Sequence, residues 1–229
     1  MQEPGTYSAI IEAVACGRTR ANEIAVKVGE ESAKCIKYIN ILCGLGILYK
    51  DIPYGEKASS RKTIYGISDF MFRFWYRYVF ANRTLLETGA AEVVWERKIE
   101  SDYSNYMGTV FERICREFLL EKNARGELPV LFTSIGRWWG TDPVTHKQEE
   151  IDLVAGDGEE FLFGECKWRN EKADISVLRN LQRKADIFRK NRAKTCYALF
   201  SKGGFTEEVY AEQEKMEGIL LFDLENLFD

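Results

Sequence analysis

Apolar positions recur every three or four residues through the first part of the chain and then change rhythm. Ile10, Ile11, Val14 and Ala15 share one face of a helix over residues 7–17. A turn at Gly17-Arg18-Thr19-Arg20 leads to a short helix from Ala21 to Val28, which Gly29 stops. A third helix begins near Ser32 and runs to about Leu42, with Ile36, Ile39 and Leu42 inward. Strand signals follow at 47–51 and 63–67, joined by the polar loop 55–62. Three helices and a hairpin predict a winged helix-turn-helix over residues 1–68.

Residues 69–100 read as an aromatic-rich helical connector, dense in Phe70, Phe72, Phe74, Trp75, Tyr76, Tyr78 and Phe80. Such a run predicts buried core joining two domains, with base stacking as the alternative. Residues 101–229 open on an amphipathic helix, Ser101 to Lys122, with Val110, Phe111, Ile114, Cys115, Phe118 and Leu119 on its apolar side. Short strands are then predicted at 129–139, 149–155 and 161–168. A helix at about 175–190, a strand at 195–200, a helix at 207–216 and a strand at 219–223 complete the order. This order predicts an α/β domain built on a mixed sheet.

Within that domain the stretch 150–168 carries the chemistry. Asp152 lies in one apolar strand and Glu165-Cys166-Lys167 in the next, with Asp157-Gly158 between them. A two-residue type I′ loop at Asp157-Gly158 would set Asp152 opposite Phe163 and Glu150 opposite Glu165. Side chains alternate along a strand, so Glu150, Asp152, Glu165 and Lys167 would share one face. Like charges opposed in a sheet are unfavourable, and a divalent cation offsets them. Mg²⁺ or Mn²⁺ would take the carboxylate oxygens and polarise a phosphodiester, with Lys167 at the attacking water or at charge on phosphorus. The competing reading is a solvated hairpin whose charges pair with Lys167 and Arg169.

Composition narrows the setting. With 45% hydrophobic and 30% charged residues in 229, the chain is an ordinary globular one. Residues 1–80 hold 11 Lys+Arg against 8 Asp+Glu, and the remainder 21 against 28, so the N-terminal part is the one expected to touch nucleic acid. Lys34 and Lys37 on the third helix, and Lys57, Arg61 and Lys62 in the loop, are the candidate phosphate contacts. Protein contact is the alternative use of such a module. The six cysteines form no C-x-x-C pair and mostly lie in apolar patterns, which predicts reduced thiols in a cytoplasm. A single histidine, His146, excludes a histidine-based zinc site. The most hydrophobic run, 70–80, is too short to span a bilayer and carries Arg73 and Arg77. A soluble, cytoplasmic protein without a membrane partner is expected.

Asp152 and Glu165-Cys166-Lys167, preceded by a helix bearing Glu112, resemble the PD-(D/E)xK nuclease superfamily. The resemblance implies a restriction-endonuclease-like fold in which Asp152, Glu165 and the Cys166 carbonyl bind Mg²⁺ or Mn²⁺, Glu112 assists, and Lys167 serves the water. Ile151 stands where the superfamily has its proline, and Gln182 where some relatives carry an accessory polar residue.

The whole chain resembles something narrower. The winged helix, the aromatic segment, Gly108-x-x-Phe111-Glu112, Glu150-Ile151-Asp152 and Gly164-Glu165-Cys166-Lys167 are similar to the C-terminal half of archaeal-type ATPases. In those proteins a P-loop module of the AAA class comes first. This chain has no G-x-x-x-x-G-K-[ST], so it is not expected to hydrolyse ATP itself. Its abrupt start, with Tyr7 almost at once in a helix, is expected of a piece of a longer ATPase. Two functions remain open: a metal-dependent DNA endonuclease with its own DNA-binding module, or a non-catalytic DNA- or protein-binding regulatory module of an ATPase.

Overall fold

The computed structural model describes residues 4–58, 60–188 and 194–228. The chain is mixed α/β and forms two compact units, Met1–Ile52 with Glu56–Tyr103, and Pro53–Gly55 with Ser104–Asp229.

The first unit begins with α1 (Pro4–Ala15), α2 (Ala21–Val28) and α3 (Ser32–Gly44). The hairpin β1 (Leu48–Asp51) and β2 (Ile64–Ile67) follows, antiparallel, with Leu48 opposite Ile67. Ile10, Val14, Ile24, Cys35, Ile39 and Leu42 close on Leu48, Tyr65 and Ile67 in one core. Gly29 ends α2 at φ 75°, a left-handed turn that an L side chain adopts only with strain. Ile36, expected inward, is 40% exposed. The buried stripe of α3 is Cys35, Ile39 and Leu42, spaced by four and three, and Ile36 lies a step round the helix from it. Ser59 of the expected loop is outside the described residues.

The connector is helical but broken. It comprises α4 (Phe70–Phe74), a π turn (Trp75–Val79), a 3₁₀ turn (Phe80–Asn82), α5 (Arg83–Glu87), α6 (Ala91–Val94) and a second π turn (Trp95–Ile99). The Asp69 carboxylate caps α4 by accepting from the Phe72 N–H at 2.7 Å. Its aromatics are not the buried core expected of them. Tyr78 is buried, Phe72 and Trp75 are exposed, and the others are half-buried. Aromatics this dense point all round the helix, and here only the side bearing Tyr78 is covered while Phe72 and Trp75 face outward. Tyr78 and Arg77 both donate to Asp102 Oδ2, and Arg77 also donates to the Ala15 carbonyl at 2.8 Å. Burial, then the bond to Asp102, pushes the Tyr78 hydroxyl up to about 12.

The long helix α7 (Glu100–Ala124) leads into the sheet of the second unit, in which β3 (Ser134–Thr141), β4 (Gln148–Gly156) and β5 (Glu160–Lys167) are antiparallel. Then come α8 (Ile175–Phe188), β6 (Lys194–Ser201), α9 (Glu207–Lys215), β7 (Ile219–Phe222) and α10 (Leu224–Phe228). The sheet order is β3-β4-β5-β6-β7, with β5, β6 and β7 parallel. One face packs Val154, Phe163, Tyr197 and Leu199 on Leu178 and Leu181 of α8 and Val209 of α9. The other packs Leu153, Leu162, Ala198 and Phe200 on Phe111, Cys115 and Leu119 of α7. The first expected strand starts late, at Ser134, because Asn123 holds both the N–H and the carbonyl of Phe132 with its side chain. Residues 189–190, expected to finish α8, lie outside the described residues.

Tyr54 belongs to this second unit although it comes from the β1–β2 connection. Its N–H donates to the Arg137 carbonyl at 2.7 Å and its hydroxyl to the Gly156 carbonyl at 3.1 Å. Its ring meets Phe161 and Phe188 edge-on. Among the described residues no helix is long and apolar enough to cross a membrane.

Candidate functional site

The β4–β5 hairpin closes differently from the two-residue loop expected. Leu153 pairs with Gly164, Val154 with Phe163 and Gly156 with Phe161. Residues 157–160 therefore stand outside the antiparallel pairing, and the strands themselves are joined by 157–159. The Asp157 side chain organises this connection by accepting from the N–H groups of Glu159 and Glu160 at 2.9 and 3.0 Å. The pairing has slipped by two positions. A slip of one would turn every side chain over, but a slip of two leaves each on its own face. Carried one step further, the register sets Asp152 level with Glu165 rather than Phe163.

A second irregularity re-aims Asp152. Between β3 and β4, Gly136 pairs with Val154 but Trp138 pairs with Ile151. Arg137 alone therefore faces two residues, Asp152 and Leu153, which is a β-bulge on β4. Beyond it the alternation reverses. Ile151 joins the core beneath α8, and Glu149 meets Arg183 of α8 at 2.7 Å. Glu150 turns away from the face it was expected to share. It lies 3.6 Å from Arg137, whose Nε is 3.7 Å from Glu112 of α7. Asp152, at the bulge, reaches across and accepts the Cys166 N–H on Oδ2 at 2.8 Å.

Both acids are buried, Asp152 8% and Glu165 4% exposed. The second oxygen of Asp152 takes no hydrogen bond from the described residues. Burial first, then the negative charges of Glu165 and Glu112, pushes the Asp152 carboxyl up to about 7, against the pull of the Cys166 N–H and Lys167. Glu165 is the better partnered. Lys184 Nζ on α8 donates to both its oxygens at 3.1 and 3.0 Å, and Lys167 Nζ to Oε1 at 2.7 Å. Lys184 is itself buried, whereas the Lys167 side chain is 31% exposed. Burial works against the Lys167 ammonium, but Glu165 outweighs it and holds the pKa above its ordinary value. The Cys166 thiol belongs to the α7 side, beside Cys115, where burial pushes it well up.

Thus Asp152, Glu165 and Lys167 come together, and Cys166 takes part through its N–H to Asp152, whereas its carbonyl was the expected ligand. Glu112 lies near enough to act on the charge of Asp152 but is shared with Arg137. Among the described residues no three acid, histidine or cysteine side chains gather closely enough to grip one ion between them. The donor set still fits a hard cation. Mg²⁺ is commonly held by one or two carboxylates and completes its shell with water and phosphate, and here one oxygen of the Asp152 carboxylate takes no hydrogen bond from the described residues. Lys184 and Arg137 were missed. Lys184 had a signal, because it falls on the inward stripe of α8 with Val177, Leu181 and Ala185. Arg137 had none, since only the bulge brings it there. Gln182 instead lies 3.6 Å from the Met216 sulfur.

The candidate phosphate contacts lie on the first unit. Lys34 pairs with Glu30 at 3.2 Å and Lys62 with Glu56 at 2.7 Å. Lys37, Lys57 and Arg61 are exposed and make no ion pair among the described residues.

Residues 75–178 match DUF234, a family described as archaea bacterial proteins of unknown function. The chain is 34% identical over 229 residues to an uncharacterized protein of Methanocaldococcus jannaschii, covering 98% of this chain and 48% of that one. It therefore spans about half the length of that curated relative. Among solved structures it is similar to a Vibrio cholerae protein, with 11% identity and a TM-score of 0.37 over 99% of this chain and 49% of the other.

Proposed function

We propose that the second unit is a PD-(D/E)xK-type nuclease that cuts DNA with Mg²⁺ or Mn²⁺. In this reading the first unit is a winged-helix module that holds the DNA, and in a longer protein an AAA-class ATPase carries both. One observation carries the reading: Asp152 is buried at a bulge beside buried Glu165, with one carboxylate oxygen unshared. Asp152 and Glu165 would hold the ion. Bound there, it would polarise the phosphoryl oxygen and lower the pKa of a water. The Cys166 N–H fixes the direction of Asp152. Lys167, the more exposed of the two amines, can leave Glu165 and meet the phosphate, where its charge favours the developing negative charge. The apolar side chains under Asp152 and Glu165 keep the field between these charges strong. Room for an ATPase module exists in the relative, which is about twice as long.

A second reading is a non-catalytic regulatory module. It draws on Glu165, both of whose oxygens already carry ammonium hydrogen bonds. Incubating supercoiled and branched DNA with Mg²⁺ or Mn²⁺ separates the two. Cleavage by the wild type that Asp152→Ala loses supports the nuclease. No cleavage with either ion, or equal cleavage by both proteins, rejects it.

A further inference from the structure

We infer that Lys184 is a resident cation of this site, so that the site admits one divalent ion and not two. The inference rests on the metal reading above and adds to it a limit that the family resemblance does not contain.

The geometry comes first. The ammonium of Lys184 lies 3.1 and 3.0 Å from the two oxygens of Glu165, bridging the carboxylate as a metal ion would. Lys184 is 7% exposed, and its stem sits in the buried stripe of α8 with Leu181 and Ala185. Lys167 differs: it takes one oxygen of Glu165, and its side chain is 31% exposed, so it can swing out.

The charge count agrees. Asp152, Glu165, Glu112 and Glu150 supply four acids against the three bases Lys167, Lys184 and Arg137, so a single divalent ion already exceeds the negative charge left over. One divalent ion can enter at the unshared oxygen of Asp152 while Lys167 moves off Glu165. A second would have to displace Lys184 and strand an ammonium in the interior without a partner. It would also add charge beside one ion already bound, at distances where repulsion in a dry site is strong.

The sign of one measurement separates this from a purely orienting role. If Lys184 only held Glu165 in place, removing its amine would loosen the carboxylate and weaken metal binding. If it competes with the metal for Glu165, removing the amine strengthens metal binding or opens a second place.

The test titrates the full chain with Mn²⁺, without DNA, and reads bound ion by calorimetry and by the electron paramagnetic resonance of free Mn²⁺. The wild type should bind one ion per chain. Lys184→Met should bind Mn²⁺ about tenfold or more tightly, or take a second ion. Lys184→Arg, which keeps the charge, should stay at one ion with affinity near the wild type. Lys184→Gln keeps a donor for Glu165 without the charge, and it replaces the Met variant if that one does not fold. Two ions on the wild type, or unchanged or weaker binding by the neutral variants, overturns the inference and leaves the metal reading standing. No Mn²⁺ bound by either the wild type or Asp152→Asn removes the metal reading itself, and the inference with it.

Discussion

The two units use their charges in opposite ways. In the first, Lys37, Lys57 and Arg61 stand in water, and the pairs Lys34–Glu30 and Lys62–Glu56 are also at the surface. Such exposed pairs are screened by water and weaken with salt. On the proposed function, the exposed bases would supply a field that a polyanion feels. In the second unit Asp152, Glu165 and Lys184 are buried, so each charge matters to its neighbours. The candidate chemistry lies in the half of the chain with the acidic excess, not the basic one. On the proposed function, the basic surface would hold the nucleic acid and the buried charges would act on its backbone.

That contrast can be broken most sharply at Asp152. Asp152→Ala should lower single-turnover cleavage on the order of a thousandfold while the fold survives, as circular dichroism would report. A rate equal to the wild type would place the chemistry elsewhere. Next in size is packing. Leu181→Ala, at a fully buried position beneath the site, should cost about 2–5 kcal/mol in urea unfolding. Met71→Ala, at a position 80% exposed, should stay within about 0.5 kcal/mol. Smaller again is the basic surface. Lys37→Ala with Arg61→Ala should weaken DNA binding a few-fold and lower the salt slope by about one per lost phosphate contact, leaving cleavage of saturating DNA unchanged. An unaltered slope in a filter-binding titration would remove these residues from the interface.

The smallest effect is on pH dependence in the first unit. The Tyr78 hydroxyl is pushed up to about 12 by burial and Asp102, so the native state holds a proton that the unfolded chain releases near the ordinary tyrosine value of about 10. Its contribution is therefore complete below that value and is lost as pH rises towards 12. The melting temperature of the wild type should fall more steeply across this window than that of Tyr78→Phe. Parallel curves would mean that neither burial nor Asp102 discriminates between the two forms of Tyr78.

Much of this was legible in the sequence, and the failures have physical causes. The helices and hairpin of the first unit follow from apolar spacing and glycine stops, and the layered order of the second from its alternating periods. Glu165 and Lys167 kept their common face through a misjudged turn because a strand has period two and the pairing slipped by two, whereas Asp152 meets them only because the bulge re-aims it. Glu150 was lost from that face because a bulge is set by how β3 and β4 meet, which neither strand's sequence states alone. Lys184 was overlooked because lysine on a helix is usually solvated, although its place in the apolar stripe argued otherwise. The aromatic run was misjudged because composition records how many rings there are, not how many of them neighbouring elements cover.

Tyr54 bears on how the protein can be divided. A severed C-terminal piece beginning at Ser104 would lack the ring that fills the space beside Phe161 and Phe188. It would also lack the donor on the carbonyl of Arg137, the residue facing the bulge. Cleavage at a linear boundary thus removes a rivet from the body it was meant to release. A faithful truncation would carry Pro53-Tyr54-Gly55 as a grafted leader or receive it as a separate peptide, and restored folding on adding that peptide would measure how firmly the rivet holds.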